Sequence, residues 1–298
     1  MTSKPERTAL AGLLTGALVW GLIWYPYRLL ESLGLSGVSA SLATYAVALA
    51  GGAVAFRSAW PSLRPTPLVL AIGLATGACN LGYVLGMLQG EVMRVLLLFY
   101  LAPLWTVPLA RLVLGERLNA AGMAVVALSV AGAVTMLWRP DLGLPVPLHS
   151  AEWLGLGAGF CFALSNVLSR RAAYLTEEAK SLVMFLGVML LGALLLPFGN
   201  LSALPPPERA GEIGGLVLLI GVVLLAVNMA VQDGLAHRPA NRAVVIRLCE
   251  LVVAAFGAWL LAGEQMAPRE WLGGAMIAGA SLLSGLMGSG ESEVGSGE

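Results

Sequence analysis

Ten runs of about twenty mostly apolar residues follow one another along this chain, and no other feature restricts its fold as tightly. Inside hydrocarbon every backbone N–H and C=O must be satisfied by the segment itself or by a closed barrel. The runs are continuous in Leu, Ala, Val and Gly, with no alternation of apolar and polar residues, so helices are expected and a barrel is not. The predicted spans are 8–29, 36–56, 66–89, 92–114, 119–138, 151–173, 179–198, 213–236, 240–263 and 269–288. The fold class expected is therefore an all-α integral membrane protein of ten transmembrane helices.

Composition excludes the alternatives. The chain has 298 residues, 58% hydrophobic and only 11% charged, against about 25% charged in a soluble domain. Mean hydropathy is +0.84. The formal net charge is zero, which gives no footprint for nucleic acid. Cys79, Cys161 and Cys249 each sit alone in an apolar run and form neither a disulfide framework nor a zinc spacing. No cofactor and no metal is expected. The first apolar run extends to about Leu30, too long for a signal-peptide core, and is expected to stay as the first membrane helix. Residues 289–298 are acidic and low in complexity, and are expected to be disordered.

Trp60, Trp138, Trp153 and Trp271 fall at predicted helix ends, where amphipathic rings sit at a membrane interface. Trp24, Tyr25 and Tyr27 are expected in the outer aromatic belt for the same reason. With the N-terminus in the cytoplasm, eleven Lys and Arg fall in the inner connections and five in the outer ones. That bias places both termini inside a cell inner (plasma) membrane.

The two halves repeat. At an offset of 148 residues, Gly73 matches Gly221, Asn80 matches Asn228, Gly86 matches Gly234, Arg94 matches Arg242, and Gly115-Glu116 matches Gly263-Glu264. The first and sixth helices align at 143: Gly12 with Gly155, Gly16 with Gly159, Arg28 with Arg171. Five is odd, so the second half enters the membrane from the opposite side. The division is 1–138 for the first five-helix repeat, 139–150 for a Pro-rich connector and 151–288 for the second repeat. Inverted repeats of this kind are a frequent plan of secondary transporters, with the substrate at the interface between them.

The segments Tyr100-Leu-Ala-Pro-Leu-Trp-Thr-Val-Pro-Leu-Ala-Arg-Leu-Val-Leu-Gly-Glu116 and Arg247-Leu-Cys-Glu-Leu-Val-Val-Ala-Ala-Phe-Gly-Ala-Trp-Leu-Leu-Ala-Gly-Glu264 each close a fourth helix with Gly-Glu before a fifth. In this the chain resembles the EamA branch of the drug/metabolite transporter superfamily over essentially its whole length. The Trp-Gly-Leu-Ile-Trp stretch at 20–24 and the aromatic start at Tyr100 look most like YddG-type aromatic amino acid exporters. The second segment lacks the Tyr and Pro of the first. The resemblance implies export of small metabolites, amino acids and aromatic ones in particular, by alternating access.

Candidate site residues follow from the cost of polarity in hydrocarbon. Asn80 and Asn228 sit near the centres of helices three and eight, where an amide demands a partner: either another helix or a substrate. Gln232 lies one turn beyond Asn228 on the same face. Asn166 has no counterpart in the other half and is expected to serve packing. Arg247 and Glu250 share a face of helix nine, either as a self-neutralising pair or as groups for substrate binding and coupling. Trp20, Tyr83 and Tyr100 are candidate pocket walls for aromatic, apolar or cationic ligands. Pro26, Pro103 and Pro108 are expected to kink their helices, and Gly82, Gly86 and Gly90 give helix three a smooth packing face. Glu116 and Glu264 are expected to be interfacial carboxylates serving local packing.

No phosphate-binding Gly-Lys pair, no H-E-x-x-H and no Ser-His-Asp set occurs, so neither an enzyme nor an ATP-driven pump is expected. The expected partners are a small-molecule substrate and the lipid bilayer, with no nucleic acid, and the expected state is a monomer. Scarcity of basic residues in the helices disfavours nucleotide or phosphorylated sugars. A broad drug or organic-cation exporter, and an uncoupled channel-like or regulatory membrane protein, stay open as alternatives.

Overall fold

A computed structural model describes residues 14–116, 120–138, 146–198, 207–236 and 240–294, with side chains for all of these except 198, 231–249 and 284–294. Among the described residues the regular structure is helical throughout. Helix α1 covers residues 14–22. It is followed by α2 (Trp24–Ser32), α3 (Gly37–Ala55), α4 (Pro67–Gln89), α5 (Val92–Phe99), α6 (Ala102–Leu114) and α7 (Ala120–Leu137). The second half holds α8 (Ser150–Arg171), α9 (Glu177–Leu195), α10 (Ala210–Ala236), α11 (Ala240–Ala262) and α12 (Pro268–Val294). Every predicted span contains helix. Among the described residues, seven stretches are long and apolar enough to cross a membrane, and the break between α5 and α6 lies inside one of them, Val92–Leu114.

The breaks fall where prolines were expected to bend the chain. The turn at Ile23 separates α1 from α2 ahead of Pro26, and the turn at Tyr100–Leu101 separates α5 from α6 ahead of Pro103. Proline lacks the N–H that would continue the ladder and its ring crowds the preceding turn. Pro108 is carried inside α6. Helix α12 continues to Val294, further than its predicted end.

Equivalent ends of the two halves are built alike. Gly115 (φ 73°) and Gly263 (φ 66°) both take the left-handed conformation that ends a helix at little cost only for glycine. The next N–H then turns back in the same way, Glu116 to the Ala110 carbonyl (3.4 Å) and Glu264 to the Ala258 carbonyl (3.1 Å). Ser36 caps α3 through the Ser39 N–H and Thr176 caps α9 through the Ala179 N–H, each at 3.3 Å. These caps are 140 residues apart, and the same offset relates Tyr45 to Phe185, whose rings meet edge-on at 6.0 Å.

The helices pack as two interleaved sets. Helix α4 lies on α8 and α9, α3 on α9 and α10, α5 and α6 on α8, and α7 on α12. Gly82 and Gly86 of α4, with Gly90 just after it, face Ala151, Leu154 and Ala158 of α8, so the smooth face is where α8 seats. Following the chain from helix to helix puts the ends of α2, α4, α7 and α11 on one face, with the starts of α5, α8 and α12. The opposite face gathers the start of α1, the ends of α6, α8 and α10, and the start of α9.

Trp60, Trp138, Trp153 and Trp271 are exposed at helix ends, as the belt argument requires. Trp24 and Tyr27 are not in the belt: each is only 2% exposed. The Trp24 indole N–H donates to the Gly21 carbonyl (3.0 Å), and Tyr27 Oη lies 2.8 Å from Thr44 Oγ1. Burying a Trp or Tyr leaves its N–H or O–H in need of a partner, and each of these two rings has one.

Candidate functional site

A cavity of about 340 Å³ lies between the two halves, at the level of Asn80 and Asn228. Its lining runs out to Ser169, Lys180 and the exposed Glu177, at the junction of α8 and α9, which marks its mouth. Its walls come from α1, α4, α5, α8, α9, α10 and α11, so no helix pair alone makes it.

The deep wall is aromatic. Tyr83 packs edge-on against Phe99 at 5.3 Å and Phe99 tilts against Phe162 at 5.2 Å, while Tyr83 Oη reaches the Trp20 carbonyl at 3.4 Å. Trp20 completes this wall from α1. Ring faces are electron-rich, so the wall favours apolar, aromatic or cationic groups.

The polar groups are held in place by neighbouring helices. Asn80 donates through Nδ2 to the Thr76 carbonyl (3.0 Å), and its Oδ1 accepts from the Tyr45 hydroxyl of α3. Asn228 Oδ1 lies 3.1 Å from Ser181 Oγ of α9, which also lies 2.8 Å from the Glu177 carbonyl. Each asparagine is thus oriented by the helix preceding it within its own half. Phe185, at the position equivalent to Tyr45, has no hydroxyl, and Asn228 meets the serine one turn earlier instead. Glu250 is buried and lines the cavity from α11. Gly21 lets α1 approach α11 closely: a Cβ there would come within 2.9 Å of the Glu250 carbonyl oxygen. A carboxylate held among rings and two oriented amides offers an amine both an ion pair and hydrogen bonds.

The structure therefore gathers Trp20, Asn80, Tyr83, Asn228 and Glu250 around one cavity. Tyr100 does not line it. The turn after α5 aims Phe99 inward and leaves Tyr100 beside it, with rings 5.8 Å apart, and the Tyr100 carbonyl accepts from Ser281 of α12 (3.2 Å). The side chains of Gln232 and Arg247 lie outside the described residues. Asn166, expected to serve packing, is exposed on the cavity wall. Sequence reasoning missed Phe99, Phe162, Thr76, Ser181 and Lys180. Thr76 lies one turn before Asn80, a weak signal that was present, whereas Ser181 has no asparagine near it in sequence. Among the described residues no group of His, Cys, Asp and Glu is placed to hold a metal ion.

The face opposite the cavity mouth is sealed. Arg94 of α5 bridges Glu152 of α8 (3.1 Å) and Glu270 of α12 (3.2 Å). Glu264, just after α11, accepts the first N–H groups of α5 from Val92 (2.8 Å) and Met93 (3.2 Å). Arg28 of α2 donates to the Met87 and Gly90 carbonyls and approaches Glu264 at 3.7 Å. On the open face Arg170 pairs with Glu116, both largely solvated. Glu116 and Glu264 are both interfacial, but Glu264 also caps a helix of the other half.

Residues 149–286 match the EamA-like transporter family. An uncharacterized transporter of Archaeoglobus fulgidus is 26% identical over 224 residues, 74% of this chain and 77% of the relative. An uncharacterized transporter of Pseudomonas aeruginosa is 25% identical over 166 residues, 53% of each chain. One solved crystal structure shares the fold, with TM-score 0.60 and 20% identity over 94% of this chain and 97% of the other.

Proposed function

We propose that this chain is a multi-pass membrane transporter of the EamA type, as the match of residues 149–286 and the transporter relatives support, and that it is a secondary transporter of small amine-bearing metabolites working by alternating access. Amino acids, aromatic ones included, are the substrates this proposal favours, moved outward across the inner membrane. The observation that carries it is the central cavity itself. It combines an aromatic wall with Asn80, Asn228 and Glu250, is open to one face and is closed to the other.

The proposal includes ten spans in two inverted repeats. Supporting this, exchanging each helix for its counterpart carries the α3–α10 contact onto α4–α9, and the two asparagines onto each other. The matched caps at Ser36 and Thr176, and at Gly115 and Gly263, fit the same exchange. The sidedness proposed, with the mouth and both termini cytoplasmic, rests on the Lys and Arg bias.

Glu250 receives the substrate ammonium, the rings receive the side chain, and the asparagines read the remaining polar groups. A second proposal has an observation of its own: a carboxylate among four aromatic residues also suits an organic cation without a carboxylate. Counterflow in proteoliposomes separates the two. Exchange of labelled phenylalanine or tryptophan, unaffected by quaternary ammonium ions, supports amino acids. Exchange confined to quaternary ions supports the second proposal, and exchange of neither class refutes both.

A further inference from the structure

We infer that Arg94 is the positioning residue of a latch that keeps the sealed face closed, and that this latch sets the resting state of the protein. The inference rests on the transport function proposed above and extends it from where the substrate binds to what holds the far side shut.

Arg94 is the one described residue whose charge ties three separate helices, α5, α8 and α12, through Glu152 and Glu270. All three groups are largely buried, with side-chain exposures of 13%, 5% and 15%. Ion pairs withdrawn from water are strongly coupled, and removing one partner strands the other. The carboxylates are themselves pinned: Glu152 accepts the Leu148 N–H and Glu270 accepts the Ala267 N–H. They cannot follow Arg94 if α5 moves, so moving α5 breaks both pairs together.

The position of α5 links the latch to the cavity. This short helix carries Arg94 at its start and Phe99, in the cavity wall, at its end. The break at Tyr100–Leu101 frees it from α6. Swinging α5 away from α8 opens the sealed face and withdraws Phe99 from Phe162 in one motion.

The repeat makes the latch one-sided. Arg94 has a counterpart in Arg242, but the positions equivalent to Glu152 and Glu270 are Ala9 and Gly122, neither of which carries a carboxylate. An inner latch of the same design lacks both acidic anchors. The state with the Arg94 side closed is therefore favoured at rest, and substrate entering from the mouth must supply the free energy to break the latch.

The test is sided thiol labelling in proteoliposomes of known orientation. Thr76→Cys, on the cavity wall, is placed in a background with Cys79, Cys161 and Cys249 changed to Ala. A membrane-impermeant thiol reagent should label it from the mouth side only. Adding Arg94→Gln should raise labelling from the sealed side at least about tenfold, and mouth-side labelling should fall or hold. Glu152→Gln with Glu270→Gln should reproduce the effect with the arginine intact, and Arg94→Lys should retain most of the protection. If Arg94→Gln does not fold, Glu270→Gln alone should give the same change at smaller amplitude. Sealed-side labelling unchanged in all folded variants overturns the latch. Absence of saturable flux in the parent, with the labelling change intact, overturns the transport proposal and leaves the latch standing.

Discussion

Helix α8 carries three glycines whose fates under one substitution should differ in sign. Gly155 and Gly159 face α5: a Cβ at Gly155 would lie 2.7 Å from the Val95 carbonyl oxygen, and one at Gly159 would lie 2.5 Å from the Phe99 carbonyl oxygen. Ordinary carbon–oxygen contact needs more than 3 Å, so α5 must retreat by about half an ångström or more, and overpacking of that kind costs about 1–3 kcal/mol. Gly157, between them on the opposite side, has open space around its Cβ position. There Gly→Ala costs nothing in contacts and gains about 0.5–1 kcal/mol from the lower freedom of the unfolded chain and better helix propensity. Thermal unfolding of purified protein in detergent, followed by the loss of the monodisperse peak, measures all three. Gly155→Ala and Gly159→Ala should melt several degrees below the parent and Gly157→Ala at or above it. Gly159→Ala should also weaken substrate binding, because it displaces the backbone of Phe99. Equal effects at the three positions would refute the seating of α5 on α8.

Tyr45→Phe removes the hydroxyl that orients Asn80 and should cost about 0.5–1.5 kcal/mol. It should also raise the half-saturation concentration in a transport assay without abolishing exchange. Ser36→Ala and Thr176→Ala each remove one helix cap, and each should cost about 1 kcal/mol in thermal unfolding, additively, because the caps share no partner. Gly263→Ala and Gly115→Ala place a side chain at positive φ and should each lose about 1 kcal/mol. Gly263→Ala should be the more damaging, since it also displaces the carboxylate that caps α5. Phe162→Ala should weaken exchange of aromatic substrates more than that of small ones.

What the sequence made legible was whatever is costly in hydrocarbon. The apolar runs marked the helices, the prolines marked the breaks at Ile23 and Tyr100, and Asn80, Asn228 and Glu250 marked the cavity. The Gly-Glu pairs were legible as helix ends. Rotation about each helix axis was not legible, because lipid and protein interior are equally apolar and no polar stripe separates the inner face from the outer. Phe162 therefore looked like any other lipid-facing residue, and Trp24 and Tyr27 looked like belt residues until Gly21 and Thr44 supplied buried partners. Tyr100 and Phe99 exchanged roles for the same reason, at a turn whose direction sequence did not fix. The latch was hidden by distance: Arg94 reaches residues 58 and 176 positions away, and only the packing of α5 against α8 and α12 brings them together.

The central claim is that the cavity between the halves is the transport site, and trans-stimulated uptake of labelled substrate in proteoliposomes tests it most directly. The account predicts saturable exchange that is strongly reduced by the Asn80→Ala, Asn228→Ala double variant and by Glu250→Gln. Full-rate exchange in those variants, or flux that never saturates in the parent, would contradict it.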